Sequence, residues 1–142
     1  TAHPISVDLK NPDTFDPIVA IAREHEALDR LWICHPELSL LQEWRDRAPD
    51  ARLVNSTALE RLERGPERRA AELAAARIDA VNLRQNQWSG GLTTLFHRFD
   101  VLCFGWDAHH ERQLASLIDM GIDAVYSDYS DRMAAVASEY AD

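Results

Sequence analysis

The sequence is poor in cysteine and in basic residues, and both shortages limit what it can do. Its two cysteines, Cys34 and Cys103, fit no metal spacing such as Cys-x-x-Cys. Two reduced, buried thiols are therefore favoured over a disulfide. Lysine and arginine total 15 against 24 acidic residues, giving a net charge of −9. This balance argues against a nucleic-acid or anionic-membrane partner, which would need a basic surface, but leaves a phosphate ligand open.

Long apolar runs are absent as well. No run approaches the ~18–20 residues of a membrane span, and no signal peptide is evident, so we expect a cytoplasmic protein. The chain begins with Thr1 rather than Met, which leaves a missing N-terminal segment open. Hydrophobic residues make up 46% of the 142 residues, enough for the core of a single domain over residues 1–142.

Short apolar runs alternate with helical patterns along the whole chain. The runs begin 21 to 27 residues apart, at Ile5, Leu31, Arg52, Asp79, Val101 and Asp123. Each interval carries apolar residues at helical spacing, so about six βα units and a parallel sheet are expected. An open doubly wound sheet and part of a (β/α)8 barrel both fit this order. The glycine pair in "WSGGL" lacks the spacing of a dinucleotide site and indicates a turn before a helix.

Polar residues follow the predicted strands, at the ends where parallel βα folds collect their chemistry. They are Asp8 and Lys10, Cys34 and His35, Asn55, Asn82, Arg84 and Gln85, Trp106 and Asp107, and Ser127 and Asp128. Asn55, Asp107 and Asp128 are equally well explained as helix caps. His35 is the one histidine at a predicted strand end, and a packed residue is favoured there over a base. His109 is expected on a helix surface.

The pair Asp8 and Lys10 is harder to explain by capping, because lysine is not an N-cap residue. Two residues separated by one share a strand face. Turned inward and unpaired, both charges would be costly, so they either pair with each other or hold ligands. A divalent cation on the carboxylate and a phosphate on the ammonium would satisfy both.

Two stretches resemble the later part of glycerophosphodiester phosphodiesterases, particularly those of actinobacterial type. "ISVDLK" is similar to a strand of that family that carries a metal-binding glutamate and a lysine. "VLCFGWDAHHERQLASLIDMGIDAVYSDYSDRM" is similar to its closing segment, with Phe104 at a tryptophan, Asp107 at an asparagine and Asp128 at an aspartate. The resemblance runs over essentially the whole chain.

The resemblance implies a fold, a reaction and a site. The fold is a TIM (β/α)8 barrel, and the reaction hydrolyses glycerophosphodiesters such as glycerophosphocholine to glycerol 3-phosphate and an alcohol, in lipid metabolism. A divalent cation, Ca²⁺ or Mg²⁺, would bind at Asp8, while Lys10 would bind a phosphate oxygen and Phe104 would pack against glycerol. The remaining candidates for the barrel mouth are His35, Asn82, Asp107 and Asp128. For Asp128 we favour capping and support of the mouth over metal binding.

The family's His-Arg-Gly and Glu-x-Asp strands and its second histidine have no counterpart in this sequence. We therefore expect the carboxyl-terminal six units of a barrel, with the catalytic histidines elsewhere, and assign no catalytic residue. Six strands leave two edges and an exposed inner face, for which the candidates are Val7, Ile33, Val81, Cys103 and Val125. Homo-oligomerisation or a missing N-terminal segment would cover them. The alternatives are a non-catalytic α/β module and a related barrel phospholipase with another substrate.

Overall fold

The computed structural model describes residues 3–127 and 130–140, and in this part of the chain six parallel strands alternate with six α-helices. The strands are β1 (Ile5–Asp8), β2 (Leu31–His35), β3 (Arg52–Ser56), β4 (Ala80–Arg84), β5 (Leu102–Trp106) and β6 (Ala124–Val125). The helices are α1 (Phe15–Glu24), α2 (Leu38–Arg47), α3 (Pro66–Ala75), α4 (Gly90–Arg98), α5 (Glu111–Met120) and α6 (Ser130–Glu139). Short 3-10 turns occupy Pro12–Thr14, Leu28–Arg30, Leu59–Arg61 and Gln85–Gln87.

The strands lie in the sheet in their order along the chain, β1 to β6, and every neighbouring pair is parallel. The sheet is curled, as shown by a 2.9 Å hydrogen bond from Ser6 of β1 to Tyr126, just after β6, which brings the first and last strands together. Sequential parallel strands on a curled sheet form a half-barrel, which confirms the predicted partial (β/α)8 architecture. None of the described helices has the length and apolar character needed to cross a membrane.

The helices cover one face of the sheet and form the main core with it. This outer face includes Ile33, Leu53, Val81 and Cys103, all buried among helix side chains. Its largest buried helix residues are Phe15, Leu41, Trp44, Leu73, Phe96 and Leu117. The rings of Phe15 and Trp44 stack with centroids 4.6 Å apart, which joins α1 to α2.

The predicted assignment of strand residues to the inner face was therefore wrong, because it was shifted by one residue along each strand. Val7, Ile33, Val81, Cys103 and Val125 pack with the helices instead of facing the barrel interior. The inner face carries the alternate positions, Cys34, Val54, Ala80 and Phe104, with Trp32, Ala124 and Tyr126 packed against them. Both faces of these strands are largely apolar, so the period-two pattern could not tell inside from outside.

Four helices end in the same pair of hydrogen bonds, formed around a residue in the left-handed region. Those residues are Glu26, Arg77, Asp100 and Gly121, with φ of 53°, 58°, 60° and 93°. Beyond each, an amide donates back to the last helical turn: Ala27 to Ala22, Ile78 to Leu73, Val101 to Phe96, and Ile122 to Leu117. This is the Schellman arrangement, in which glycine is the residue that adopts the conformation without steric cost.

We predict that Arg77→Gly stabilises the chain. The substitution relieves the left-handed strain and keeps the backbone carbonyl that Arg45 binds. The free energy of unfolding in urea should rise by about 1 kcal/mol. The same change at exposed Arg68, inside α3, should lower it by about 1 kcal/mol, because glycine weakens a helix interior. Equal effects at the two sites would contradict the explanation.

Candidate functional site at the carboxyl ends of the strands

Asp8 and Lys10 both lie at the mouth of the half-barrel, on β1 and just after it. Both are exposed, and neither makes an ion pair within residues 3–127 and 130–140. Of the two alternatives for Asp8 and Lys10, an ion pair with each other is thus absent from the described part of the chain. Because both charges are solvated, they need no partner for folding and are available to a ligand.

His35 lies on the helix side of the sheet rather than in the mouth. It is 8% exposed, its ring edge meets Trp44 at 5.4 Å, and its Nδ1 accepts a hydrogen bond from the Glu37 amide at 3.0 Å. Burial lowers the pKa of His35 below its ordinary value, which favours the neutral ring that can accept this bond. His35 therefore helps to form the β2–α2 turn, in agreement with the packed role expected for it.

Asn55 connects the end of β2 to α3 through hydrogen bonds and does not cap a helix. It is fully buried and donates from Nδ2 to the carbonyls of His35 and Pro36 at 3.3 and 3.1 Å. Its Oδ1 accepts a hydrogen bond from Arg69 Nη1 at 2.8 Å. Since α3 begins eleven residues later, at Pro66, the capping interpretation of Asn55 was wrong.

Asn82 is the most deeply placed polar side chain of the inner face, at 8% exposure. Its Nδ2 lies 3.5 Å from Ser56 Oγ, at the limit of a hydrogen bond. Its Oδ1 is buried and has no partner among the described residues. Asn82 aligns with Phe104 on the neighbouring strand, which places it on the inner face, and its role in the mouth stays a prediction.

An aromatic cluster of Trp32, Phe104 and Tyr126 fills the interior below the mouth. Phe104 meets Trp32 edge to face at 5.2 Å and Tyr126 at 6.1 Å. The Tyr126 hydroxyl accepts a hydrogen bond from Ser6 Oγ and lies 4.0 Å from Cys34 Sγ. Phe104 is 4% exposed, so contact with a ligand would require Tyr126 or Trp32 to move. Trp106 is 42% exposed and is the aromatic side chain that reaches solvent at this end of β5.

Burial raises the pKa of Tyr126 and also that of the Cys34 thiol. A raised pKa in the folded chain means that Tyr126 contributes its full stabilisation below its ordinary pKa of about 10. That contribution is lost as the pH rises through the raised value.

We predict that Tyr126 stays protonated in the folded chain between pH 9 and 11. The increase in absorbance at 295 nm over this range should be the same for the wild type and for Tyr126→Phe. In 8 M urea the absorbance increase of the wild type should exceed that of the variant by the contribution of one of its three tyrosines. A smaller increase for the folded variant would contradict the described burial.

A four-residue network of Arg84, Asp107, His109 and Ser127 lies at the mouth, at the carboxyl ends of β4, β5 and β6. The sequence analysis did not predict the place of His109 in it. Arg84 donates from Nε and Nη2 to Asp107 Oδ2 at 2.9 and 2.7 Å. The other oxygen of Asp107, Oδ1, lies 2.7 Å from His109 Nε2. His109 Nδ1 in turn lies 3.4 Å from Ser127 Oγ. Arg84 also lies over the ring of Trp106, 5.9 Å from its centroid.

Asp107 is held as a carboxylate by this network. The Arg84 guanidinium, followed by His109, holds the pKa of Asp107 below its ordinary value. Asp107 also adopts φ of 66°, in the left-handed region that aspartate adopts more readily than most other residues with a side chain. It does not cap α5, whose N-cap is His110 in a capping box with Gln113, so the capping interpretation of Asp107 was wrong. Asp128, the neighbour of Ser127, lies outside the described residues.

His109 was expected on a helix surface, but it lies in the loop between β5 and α5, half-buried. The available signal was the sequence Asp-x-His directly after a strand. That spacing places a carboxylate and an imidazole together at the catalytic end of a βα unit.

A second cluster, His97, Cys103 and Asp123, lies at the opposite end of the strands and has the residue types of a metal site. Asp123 Oδ2 accepts the Cys103 amide at 2.7 Å and lies 2.6 Å from His97 Nε2. Burial, with the nearby Asp123, raises the pKa of the Cys103 thiol to about 12, which disfavours the thiolate that metals bind.

The same arrangement, an aspartate that binds a strand amide and a basic side chain, occurs once more without a histidine or cysteine, which favours a structural role. Asp79 Oδ2 accepts the Leu53 amide at 2.8 Å and Arg45 Nη2 at 2.7 Å. Both aspartates belong to the repeated sequence Ile-Asp-Ala-Val, at 78–81 and 122–125. Arginine stands where His97 stands in the other copy, so the arrangement joins strand ends and does not require a metal.

No family model and no curated protein matches the sequence. Solved structures do match its fold. One assigned as a glycerophosphoryl diester phosphodiesterase from Silicibacter pomeroyi matches 97% of this chain and 51% of its own, with a TM-score of 0.83 and 16% identity. A phosphodiesterase from Oleispira antarctica, in complex with the product sn-glycerol-3-phosphate, matches 95% and 55%, with a TM-score of 0.79 and 14% identity.

A glycerophosphodiester phosphodiesterase from Thermotoga maritima matches 94% of this chain and 57% of its own, with a TM-score of 0.70 and 14% identity. The chain thus spans about half the length of the structures it matches. At these identities the likeness supports the half-barrel fold alone.

Proposed function

We propose that the chain forms the carboxyl-terminal six βα units of a glycerophosphodiester phosphodiesterase. The reaction is hydrolysis of a glycerophosphodiester to glycerol 3-phosphate and an alcohol, and we assign it to lipid metabolism in the cytoplasm. The fold match over 97% of the chain to about half of such a barrel carries the proposal. The similarity of "ISVDLK" and of the closing segment to this family adds support.

An uncovered apolar side at β1 supports a missing neighbour. Strand β1 pairs only with β2 in the described sheet. Beside this free edge Ile5 is 52% exposed and Ile21 of α1 is 58% exposed. They line a groove with Ile18, Ala22, His25, Ala27, Arg30 and Leu31. In a complete barrel a preceding βα unit would pair with β1 and pack against α1, so we assign this groove to an N-terminal segment of the same protein.

A divalent cation fits the exposed carboxylate of Asp8 but needs further ligands. Asp8 belongs to no group of three or more ligating His, Cys, Asp or Glu side chains among the described residues. Ca²⁺ takes six to eight oxygen ligands and Mg²⁺ six, so we assign the remaining carboxylates to the absent strands. When bound, the cation would neutralise phosphate charge.

The residues of this chain would hold the substrate. Lys10, the sole lysine of the sequence, would bind a phosphate oxygen as a solvated point charge. Phe104 would pack against glycerol once Tyr126 moves aside, because its ring is now covered. We assign the acid and base of the phosphodiester reaction to histidines of the absent strands.

The filled interior favours one other candidate, a non-catalytic α/β module. Trp32, Phe104 and Tyr126 cover the inner face with the chain's own side chains. A module of this kind would be stable alone and would have no use for Asp8 and Lys10.

We predict that the 142-residue chain alone does not hydrolyse glycerophosphocholine in Ca²⁺ or Mg²⁺. A longer protein that includes the upstream reading frame should release glycerol 3-phosphate, and Lys10→Gln should lower its kcat/KM about 100-fold through the lost phosphate contact. Arg98→Gln, an exposed change on α4, is the matched control. Turnover by the chain alone would contradict the assignment of the catalytic histidines to the absent strands. An inactive longer protein would favour the non-catalytic module.

We predict that Ile21→Glu prevents association with a separately expressed N-terminal segment. A carboxylate in the groove would lose its water at the interface, whereas it is solvated in the free chain. Ala20→Glu, an exposed change on the same helix, should leave association unchanged. Co-purification with a tagged N-terminal segment measures the difference. Equal association of both variants would show that the groove is not the contact surface.

A further inference from the structure

Three side chains at the mouth are connected in the order of a nucleophile, a base and an orienting acid. Ser127 Oγ lies 3.4 Å from His109 Nδ1, and His109 Nε2 lies 2.7 Å from Asp107 Oδ1. In the neutral ring, the tautomer with its proton on Nε2 donates to Asp107 and leaves the Nδ1 lone pair facing the serine hydroxyl. Ser127 and His109 have no role in the proposed phosphodiester site, and Asp107 belongs to it only as a candidate residue of the mouth.

We propose that Ser127 is a nucleophile toward carboxylic esters, with His109 as its base and Asp107 as the residue that positions His109. This reactivity requires only the described chain and does not depend on the phosphodiesterase proposal. The recognition of such a site rests on the mutual geometry of the three groups, which occurs on unrelated folds.

Asp107 is well suited to orient an imidazole. Arg84 binds one carboxylate oxygen through two N–H groups, which leaves the other oxygen for His109. The arginine also keeps the carboxylate ionised, since it holds the pKa of Asp107 below its ordinary value. A carboxylate at this position stabilises the imidazolium that forms when His109 takes a proton.

The position of Ser127 suits a nucleophile. It lies two residues after the end of β6 at Val125, on the carboxyl side of the sheet, and three residues before the start of α6 at Ser130. Reactive groups of parallel βα folds collect at this side. Trp106, next to Asp107 in the chain and 42% exposed, offers an apolar surface for the acyl group of an ester.

The chemistry balances without any further reagent. Ser127 Oγ forms a bond to the ester carbonyl carbon as its proton passes to His109 Nδ1. The carbon–oxygen bond to the alcohol breaks, and His109 returns the proton to the departing alcohol. Water then attacks the acyl-serine, again with His109 as the base, and the carboxylic acid leaves as Ser127 regains its proton.

The test uses the 142-residue chain, a fluorophosphonate probe and p-nitrophenyl acetate. Mass spectrometry should locate the probe on Ser127, and p-nitrophenol release should exceed that of buffer. Ser127→Ala and His109→Gln should each abolish labelling and lower the rate of ester hydrolysis about 100-fold. Ser138→Ala and His3→Gln, at exposed positions, should leave both signals unchanged.

Asp107→Asn is the most discriminating variant. Asparagine tolerates the left-handed conformation as well as aspartate does, so the loop should be retained. The amide cannot stabilise the imidazolium, so labelling should slow about 100-fold, whereas loss of the ion pair with exposed Arg84 should lower the melting temperature only slightly. A wild-type chain without label on Ser127, or equal labelling in His109→Gln and Asp107→Asn, would falsify the proposal. Labelling of Ser127 in a longer protein without phosphodiesterase activity would leave it intact.

Discussion

Every helix that packs against the described sheet does so on one face, and the rest of the molecule depends on this asymmetry. The outer face obtains its core from helix side chains, including Phe15, Trp44 and Phe96. The inner face has only the strands' own side chains to exclude water. The curl of the sheet brings those side chains together, so the interior is narrow enough for Trp32, Phe104 and Tyr126 to fill it.

Because apolar residues fill the interior, polar groups are pushed to the rim. Asn82 marks the boundary, with one side-chain oxygen buried and without a partner among the described residues. Above it, Asp8, Lys10 and Arg84 are exposed. The charged side chains of the inner face therefore lie at the carboxyl ends of the strands, where a ligand can reach them by displacing water. The groove at Ile5 and Ile21 shows the same logic at the sheet edge, since apolar surface is left there without a helix to cover it.

Much of the architecture could be predicted from the sequence because helices and strands have distinct periods. The alternation of strands and helices along the chain, the left-handed Gly121 and the serine cap before Gly90 follow from local pattern, whereas the order of the strands within the sheet was implied by the family resemblance. Which strand residues face the helices and which face the interior could not be predicted, because both faces of the strands are apolar. The helix ends at Arg77 and Asp100 gave no signal either, since tertiary packing imposes there a conformation that glycine would normally supply.

The site was predictable only in part. Strand-end position pointed to Asp8, Lys10, Asn82 and Asp107, but position alone does not tell which side chains meet. His35 and Asn55 belong to turns, although they occupy the same kind of position. His109 was missed because the start of α5 was placed too early: the helix begins at Glu111, and the two residues of difference move His109 from a helix to the mouth.

The Ile-Asp-Ala-Val repeat has a mechanical consequence for the mouth. Strand β6 has only two residues, Ala124 and Val125, so few backbone hydrogen bonds fix where it lies against β5. Asp123, at its lower end, anchors it to the Cys103 amide. Tyr126, three residues further along, donates its amide to the Gly105 carbonyl at 2.8 Å and accepts the Ala108 amide at 3.4 Å. Asp123 and Tyr126 thus fasten the two ends of this short strand, and Ser127 is the first residue beyond the second fastening.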